Sequence, residues 1–259
     1  MNENWMQKWK EVKDMLVCST DLESYFISDK ISGQTMETME IGNVSLPSGK
    51  VLVRDPLVSL NSGEEPYFET TPKGNFPVTV AVVKSEEWGD RYAVVKVEFT
   101  KEKPVVYREA LTGEEDLEGI EEDDYFGFGV DAGLACIADP EVLPHVDQFL
   151  SQLNVDNIYD NYFAELFEQS YKENPDNQRE AGDWINWTVP NTQYQIPMFA
   201  SGFGDGVYPV YFAYDANEKV CGLYIQFIDV ELVLSDEDEE DENEEDGNNQ
   251  PENFIFPRD

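Results

Sequence analysis

Apolar residues near the start of the chain recur at helical intervals. Trp5, Trp9, Val12 and Leu16 are spaced by four, three and four, while Lys8, Lys10, Lys13 and Asp14 occupy the other positions. That spacing places the four apolar side chains on one stripe and predicts an amphipathic N-terminal helix. Residues 21–46 follow no single period and are punctuated by Gly33 and Gly42, with Pro47 and Gly49 just beyond. Val51, Leu52 and Val53 then form a short apolar run stopped by Asp55-Pro56. This pattern predicts a strand running into a turn.

Between Tyr67 and Phe99 the period falls to two. Val78, Val80 and Val82 share one face, and Ala93, Val95, Val97 and Phe99 share another, with Arg91, Lys96 and Glu98 as the polar residues among them. The alternation predicts two half-buried antiparallel strands. Residues 126–138 are apolar and glycine-rich, which predicts strand with bends or close backbone contacts. Asp139-Pro140-Glu141 combines an N-cap residue, a proline suited to the first helical position and a first-turn acid, so a helix is expected to begin there. Val155, Ile158, Tyr159, Tyr162, Phe163, Leu166 and Phe167 carry a strong helical period, predicting a helix over 156–171 ended by Asn174 and Pro175. Three closing strands are expected around 184–189, 207–214 and 219–229. The last two are joined by Asp215-Ala216-Asn217-Glu218, a composition suited to a tight hairpin.

The expected fold class is α+β: mainly antiparallel sheet with an N-terminal helix, a central helical segment and a disordered acidic C-terminal tail. Residues 1–20 hold the helix, 21–234 the main domain and 235–259 the tail. No segment repeats at a fixed period, which excludes a solenoid or propeller.

Charge adds to this picture. The chain of 259 residues has a net charge of −38. Ten of the eleven residues of 236–246 are acidic, as are nine of the sixteen of 109–124. Such a tail cannot bury enough apolar surface to offset its ordering entropy, so it is expected to be disordered. Phe254-Ile255-Phe256-Pro257 would then be an apolar tag on an acidic tether. Removing residues 235–259 still leaves −27, so the body is acidic in its own right. An acidic surface repels phosphate backbones and anionic membranes and attracts basic proteins or divalent cations. The partner expectation is therefore a basic protein, with neither nucleic acid nor membrane. No apolar run resembles a signal peptide or a membrane span, and the expected location is the cytoplasm.

Cys18, Cys136 and Cys221 are odd in number and unpaired in spacing, which argues against a disulfide framework or a zinc knuckle. The single histidine, His145, excludes a two-histidine metal site and reads as a surface or half-buried residue. There is neither a P-loop nor EF-hand spacing.

Four phrases combine glycine, aspartate, proline and aromatic residues at bends. They are Gly49, Val51, Asp55 and Pro56; Pro72, Gly74, Phe76, Pro77 and Val78; Asp131, Ala132, Gly133 and Asp139; and residues 201–211, SGFGDGVYPVY. In their order and the strand pattern between them they resemble the bacterial DUF4241 family of uncharacterised proteins, over roughly residues 45–229. The last phrase is the specific one. The family has no established activity, so the resemblance implies no catalytic residue.

The candidate site therefore rests on the residues themselves: Asp131, Asp139 and Asp205, with Gly204, Gly206 and Tyr208. If the fold gathers them, the three aspartates would hold a divalent cation such as Mg²⁺, Mn²⁺ or Ca²⁺. In the competing local reading, Asp139 caps a helix while Asp131 and Asp205 bond backbone amides at bends. Ser201 lacks the setting of a nucleophile and reads as a turn serine. Tyr208, Tyr211, Tyr214 and Tyr224 read as core or sheet-face aromatics. The leading expectation is a binding protein that engages a basic partner such as a toxin, as immunity proteins do. The alternatives are a metal-dependent hydrolase using the aspartates and a small-molecule binding module built on the glycine-rich bends.

Overall fold

Two antiparallel sheets and one helical layer contain most of the chain, and the number of apolar faces on a segment decides where it lies. The computed structural model describes residues 3–60, 63, 65–121, 124–153 and 155–235. The larger sheet runs in the order β1 (Lys30–Ile31), β2 (Gln34–Leu46), β4 (Gly74–Lys84), β5 (Arg91–Glu98), β12 (Val220–Gln226), β11 (Gly206–Tyr214) and β6 (Val106–Glu109), with β7 (Gly127–Val130) paired to the first half of β11. The smaller sheet is β3 (Leu52–Arg54), β8 (Leu134–Ala138), β10 (Gln195–Ala200) and β9 (Trp184–Thr188). Their curvature is that of a half-barrel.

The smaller sheet is the middle layer. Along β8, Ala135 and Ile137 join the core beneath the larger sheet, whereas Leu134, Cys136 and Ala138 join a second core built with the helices. Side chains alternate across a strand, so a segment apolar at every position needs a cover on each face. The second cover is α3 (Leu143–Leu153) together with α4 (Ala164–Glu173), whose Val146 and Phe167 are buried. Trp187 of β9 fills this core, edge-on to Phe163 at 5.2 Å, and its indole N–H donates to the Tyr162 hydroxyl at 3.2 Å.

A third cluster explains the N-terminal stripe. α1 (Glu3–Val12) buries Val12, and the following Leu16 packs with Leu111 and Leu117 of the acidic loop. Phe68 stands edge-on to Trp5 at 5.3 Å and to Trp9 at 5.2 Å.

Several expectations change. Residues 34–46, where no period is apparent, form the longest strand. β2 carries polar residues on its exposed positions and a bulge between Glu40 and Asn43, which together disguise its alternation. Gly42 lies in the bulge with φ +107°, and a Cβ there would come within 2.0 Å of the Asn186 side chain. That side chain, oriented to satisfy both partners, donates to the Asn43 carbonyl and accepts from the Asn43 amide, each at 2.9 Å, and so stitches the small sheet to the large one. β10 is a strand that the sequence pattern does not predict. β4 and β5 are not half-buried: Ala81, Val83 and Val94 are as buried as the alternate positions, because Leu22 and Tyr25 before the sheet and Ile228 and Val230 after it join the same core.

The first central helix starts at Leu143 rather than at Asp139, which instead closes a turn through the Glu141 amide and also holds Ser48. The helix expected over 156–171 opens with a π-helical turn at Tyr159–Phe163 before becoming α4. Ser235 closes a helical turn over 230–235, while the rest of the expected acidic tail and its apolar tag lie outside the described residues.

Glu109, at the end of β6, is buried, and its Oε2 accepts one bond, from the Phe126 amide at 2.8 Å. Burial pushes its carboxyl up to about 8, opposed by that bond and assisted by the negative charge of Glu115 and Asp124. The folded chain thus keeps a proton that the unfolded chain releases near its ordinary value of about 4.3. Between these values the native state binds more protons, so this group's contribution to stability falls as pH rises. Glu109→Gln should flatten that fall. Urea unfolding at intervals from about pH 5 to 8 checks this, and an unchanged slope in the variant would assign the effect to another group.

Candidate functional site

The glycine-aspartate phrases converge at one end of the small sheet. Asp55 follows β3, Asp131, Ala132 and Gly133 form the bend between β7 and β8, and residues 201–205 link β10 to β11. Asp55 is buried and acts as the tie. Its Oδ1 accepts from the amides of Leu57 (2.9 Å) and Val58 (3.3 Å), and its Oδ2 from those of Asp131 (3.0 Å) and Ala132 (2.8 Å). One carboxylate thereby closes its own turn and fixes the neighbouring bend.

Asp205 continues the pattern, its Oδ1 accepting from the Gly133 amide at 3.1 Å. Ser201 is buried and donates its hydroxyl to the Gly204 carbonyl at 2.8 Å, which makes it a turn serine. The Tyr208 hydroxyl donates to the same carbonyl at 2.9 Å and stands 3.1 Å from that of Ser201. Its ring meets Phe227 edge-on at 4.9 Å, and burial pushes the phenol up to about 12. Tyr208 is thus a clamp on the 201–204 turn. Gly202 has φ +54°, and a Cβ there would fall 2.8 Å from Phe227 Cβ, so the turn is pressed against the segment after β12. Gly206 pairs with Val130 in the ladder joining β11 to β7.

Asp139 does not belong to this group. It lies at the far end of β8, whose five residues span about 17 Å. It is wholly buried, accepting from the amide and hydroxyl of Ser48 at 2.7–2.8 Å and from the Glu141 amide at 2.8 Å. The expected three-aspartate metal site is therefore not assembled. Its members stand at opposite ends of a strand, Asp139 and Asp205 accept bonds from the protein itself, and Asp131 is exposed. Among the described residues no group of three His, Cys, Asp or Glu side chains is placed to hold a metal ion. His145 is exposed on α3, and Cys136 and Cys221 are buried.

Beside the bend lies a cleft of about 650 Å³, floored by Gly133, Leu134 and Ala200 and edged by the 201–204 turn. Arg91 from the start of β5 and Arg179 from the loop after α4 both line it, with Tyr159 of the π-helical turn and Phe203, itself half exposed, at its rim. The loop carrying Arg179 is built with care. Asp183 is buried and holds the Arg179 amide (2.6 Å), Nε (2.8 Å) and Nη2 (2.6 Å), while Tyr92 donates to the Asn177 carbonyl at 3.1 Å. Gly182, at φ +85°, allows the loop to pass α4 where a Cβ would meet the Phe167 carbonyl oxygen at 2.1 Å. None of this was apparent from motif spacing. The one sequence signal is the scarcity of arginine, five in the whole chain, of which two share this cleft.

A family model described as "Protein of unknown function (DUF4241)" matches residues 44–225. The chain belongs to the DUF4241 family. No curated protein and no solved structure matches it. The DUF4241 match spans the whole junction just described, from Asp55 to Tyr208, and excludes α1. The structure shows why the phrases hold aspartate: each such residue inside the molecule accepts the amide protons of a bend that no strand ladder would satisfy.

If those carboxylates are structural, their removal must cost stability. Asp55→Ala leaves four partly buried amides without their acceptor and is expected to destabilise by about 3 kcal/mol or more, and Asp139→Ala by about 2–4 kcal/mol. Asp131→Ala, whose side chain is exposed, should stay within about 0.5 kcal/mol of the parent. Chemical denaturation of the three variants gives the ranking, and equal losses for all three would contradict these assignments.

Proposed function

We infer that this DUF4241 protein is a binding protein whose acidic surface engages a basic protein partner, in the manner of an immunity protein neutralising a toxin. The observation that supports this reading is that residues 109–121 of the acidic loop are anchored to the body. Leu111 and Leu117 anchor it in the cluster with Val12 and Leu16, the Trp5 indole donates to the Glu115 carbonyl at 2.9 Å, and the Phe68 amide donates to the Leu111 carbonyl at 2.8 Å. Glu115 turns inward to accept from the amides of Thr112, Gly113 and Glu114. Glu114, Asp116, Glu118 and Glu121 are left exposed on that fixed backbone.

Carboxylates held in place before the partner arrives lose little entropy on binding and give a charged patch its register. Among the described residues no lysine or arginine forms an ion pair with any of the four. With a body charge of −27 there is little basic surface to neutralise them. The inward use of Asp55 and Asp139 favours binding over catalysis, since these buried carboxylates are already occupied by amides and a hydroxyl of the protein itself. Acidity on this scale also disfavours nucleic acid and anionic membranes as partners. No helix among the described residues is long and apolar enough to cross a membrane, and the reading places the protein in the cytoplasm.

Capture from a native lysate should recover a basic protein with the parent chain. A variant carrying Glu114→Gln, Asp116→Asn, Glu118→Gln and Glu121→Gln should lose it, while its melting temperature stays near that of the parent. Rising salt should weaken the complex through its association rate. Recovery of no basic protein, or full retention by the quadruple variant, would overturn the reading.

A further inference from the structure

We propose that the cleft between the 201–204 turn and the Arg179 loop is a binding site for a small organic anion, one with a phosphate or carboxylate head on a planar body. Charge is the first argument. The lining contains three charged residues, Arg91, Arg179 and Asp183, and so carries net positive charge in a chain of −38. Asp183 is committed, since its oxygens are taken by the Arg179 main chain and by one edge of the Arg179 guanidinium. A carboxylate gripping one edge of an arginine orients the plane and presents the other edge, the fork that matches a phosphate or carboxylate. Arg91 donates one bond, to the Asp90 carbonyl at 3.0 Å, and forms no ion pair with a described residue. In a protein this acidic, two of the five arginines line one cavity that a single carboxylate shares with them.

The second argument is backbone polarity. The amides of Gly202 and Phe203, on the turn that edges the cleft, donate to no described acceptor, whereas those of Gly133 and Gly204 are used. Successive unbonded amides at a glycine turn are a common anion cradle. The turn is held open for this by Tyr208 and Ser201 from below and by the contact of Gly202 with Phe227, so its amides are fixed before any ligand arrives.

Shape supplies the body of the ligand. Phe203 is 50% exposed and stands edge-on to Trp88 at 5.7 Å, and Tyr159 faces the same space from the π-helical turn, a distortion often found at functional sites. The volume is that of a pocket for a mononucleotide or an aromatic acid rather than for a bare ion. This site is separate from the acidic loop, and its failure would leave the proposed protein partner untouched.

Isothermal titration of the full chain at moderate salt, with adenosine 5′-monophosphate, benzoate and inorganic phosphate as separate probes, tests it. At least one organic probe is expected to bind more tightly than inorganic phosphate and to raise the melting temperature by linkage. The two organic probes distinguish a phosphate head from a carboxylate head. Arg91→Gln decides the matter, because its one backbone bond is peripheral and the fold should survive. It should weaken the organic probe about tenfold or more. Phe203→Ala should weaken the organic probe and leave inorganic phosphate unchanged. No binding of any probe up to about 10 mM, or equal affinity in Arg91→Gln and parent, would overturn the proposal.

Discussion

The constraint that organises this molecule is the four-stranded sheet that is apolar on both faces. A strand such as β8, with all five residues buried, cannot lie at a surface, and the remaining elements are arranged to cover it. The larger sheet covers one face with the core that includes Phe199, Ile137 and Val53, and the two central helices cover the other around Trp187 and Phe167. The strand ends emerge together on the rim of this sandwich. The loops that join them must turn sharply inside a crowded region, where unmet amide protons are costly.

That demand explains the use of aspartate at the bends. Asp55, Asp139 and Asp205 each supply oxygens to amides that the sheet cannot reach, and glycine stands where a side chain would collide, as at Gly202 against Phe227. The same residue types would compose a metal site. The difference lies in where the lone pairs point: all four bonds to Asp55 come from the backbone, leaving it no coordination to offer.

Elements whose pattern follows from one neighbour were legible in the sequence. The helical stripe of Trp5, Trp9 and Val12, the apolar run of β3 and the hairpin at Asp215 are local, and the structure places them where periodicity does, although α1 ends at Val12 and Leu16 lies beyond it. β2 was hidden because its alternation is broken by the bulge at Gly42, which exists to meet Asn186, a residue more than a hundred positions away. The Asp139-Pro140-Glu141 phrase does form a local turn, with the Glu141 amide on the Asp139 carboxylate, but α3 begins only at Leu143. The glycine-rich bends are visible in the sequence, but the role of Asp55 and the approach of Arg91 and Arg179 to them depend on chain crossings that no local spacing encodes.

The distribution of charge follows from the same packing. The buried aspartates at the strand ends have their charge solvated by amides, and exposed carboxylates are carried on surfaces such as the loop over α1. A cleft lined by a single carboxylate, already paired with Arg179, and by two of the chain's five arginines is the complement of that surface. In a chain of −38, a free anion approaching from solvent meets repulsion at long range and attraction only within the cleft. Added salt shortens the reach of the first more than the second, because exposed charges are screened and partly buried ones much less. Association at the cleft should therefore be slow and helped by moderate salt, whereas association of a basic protein with the loop should be fast and hindered by it. The opposite signs separate the two surfaces physically, even though both arise from one excess of acid.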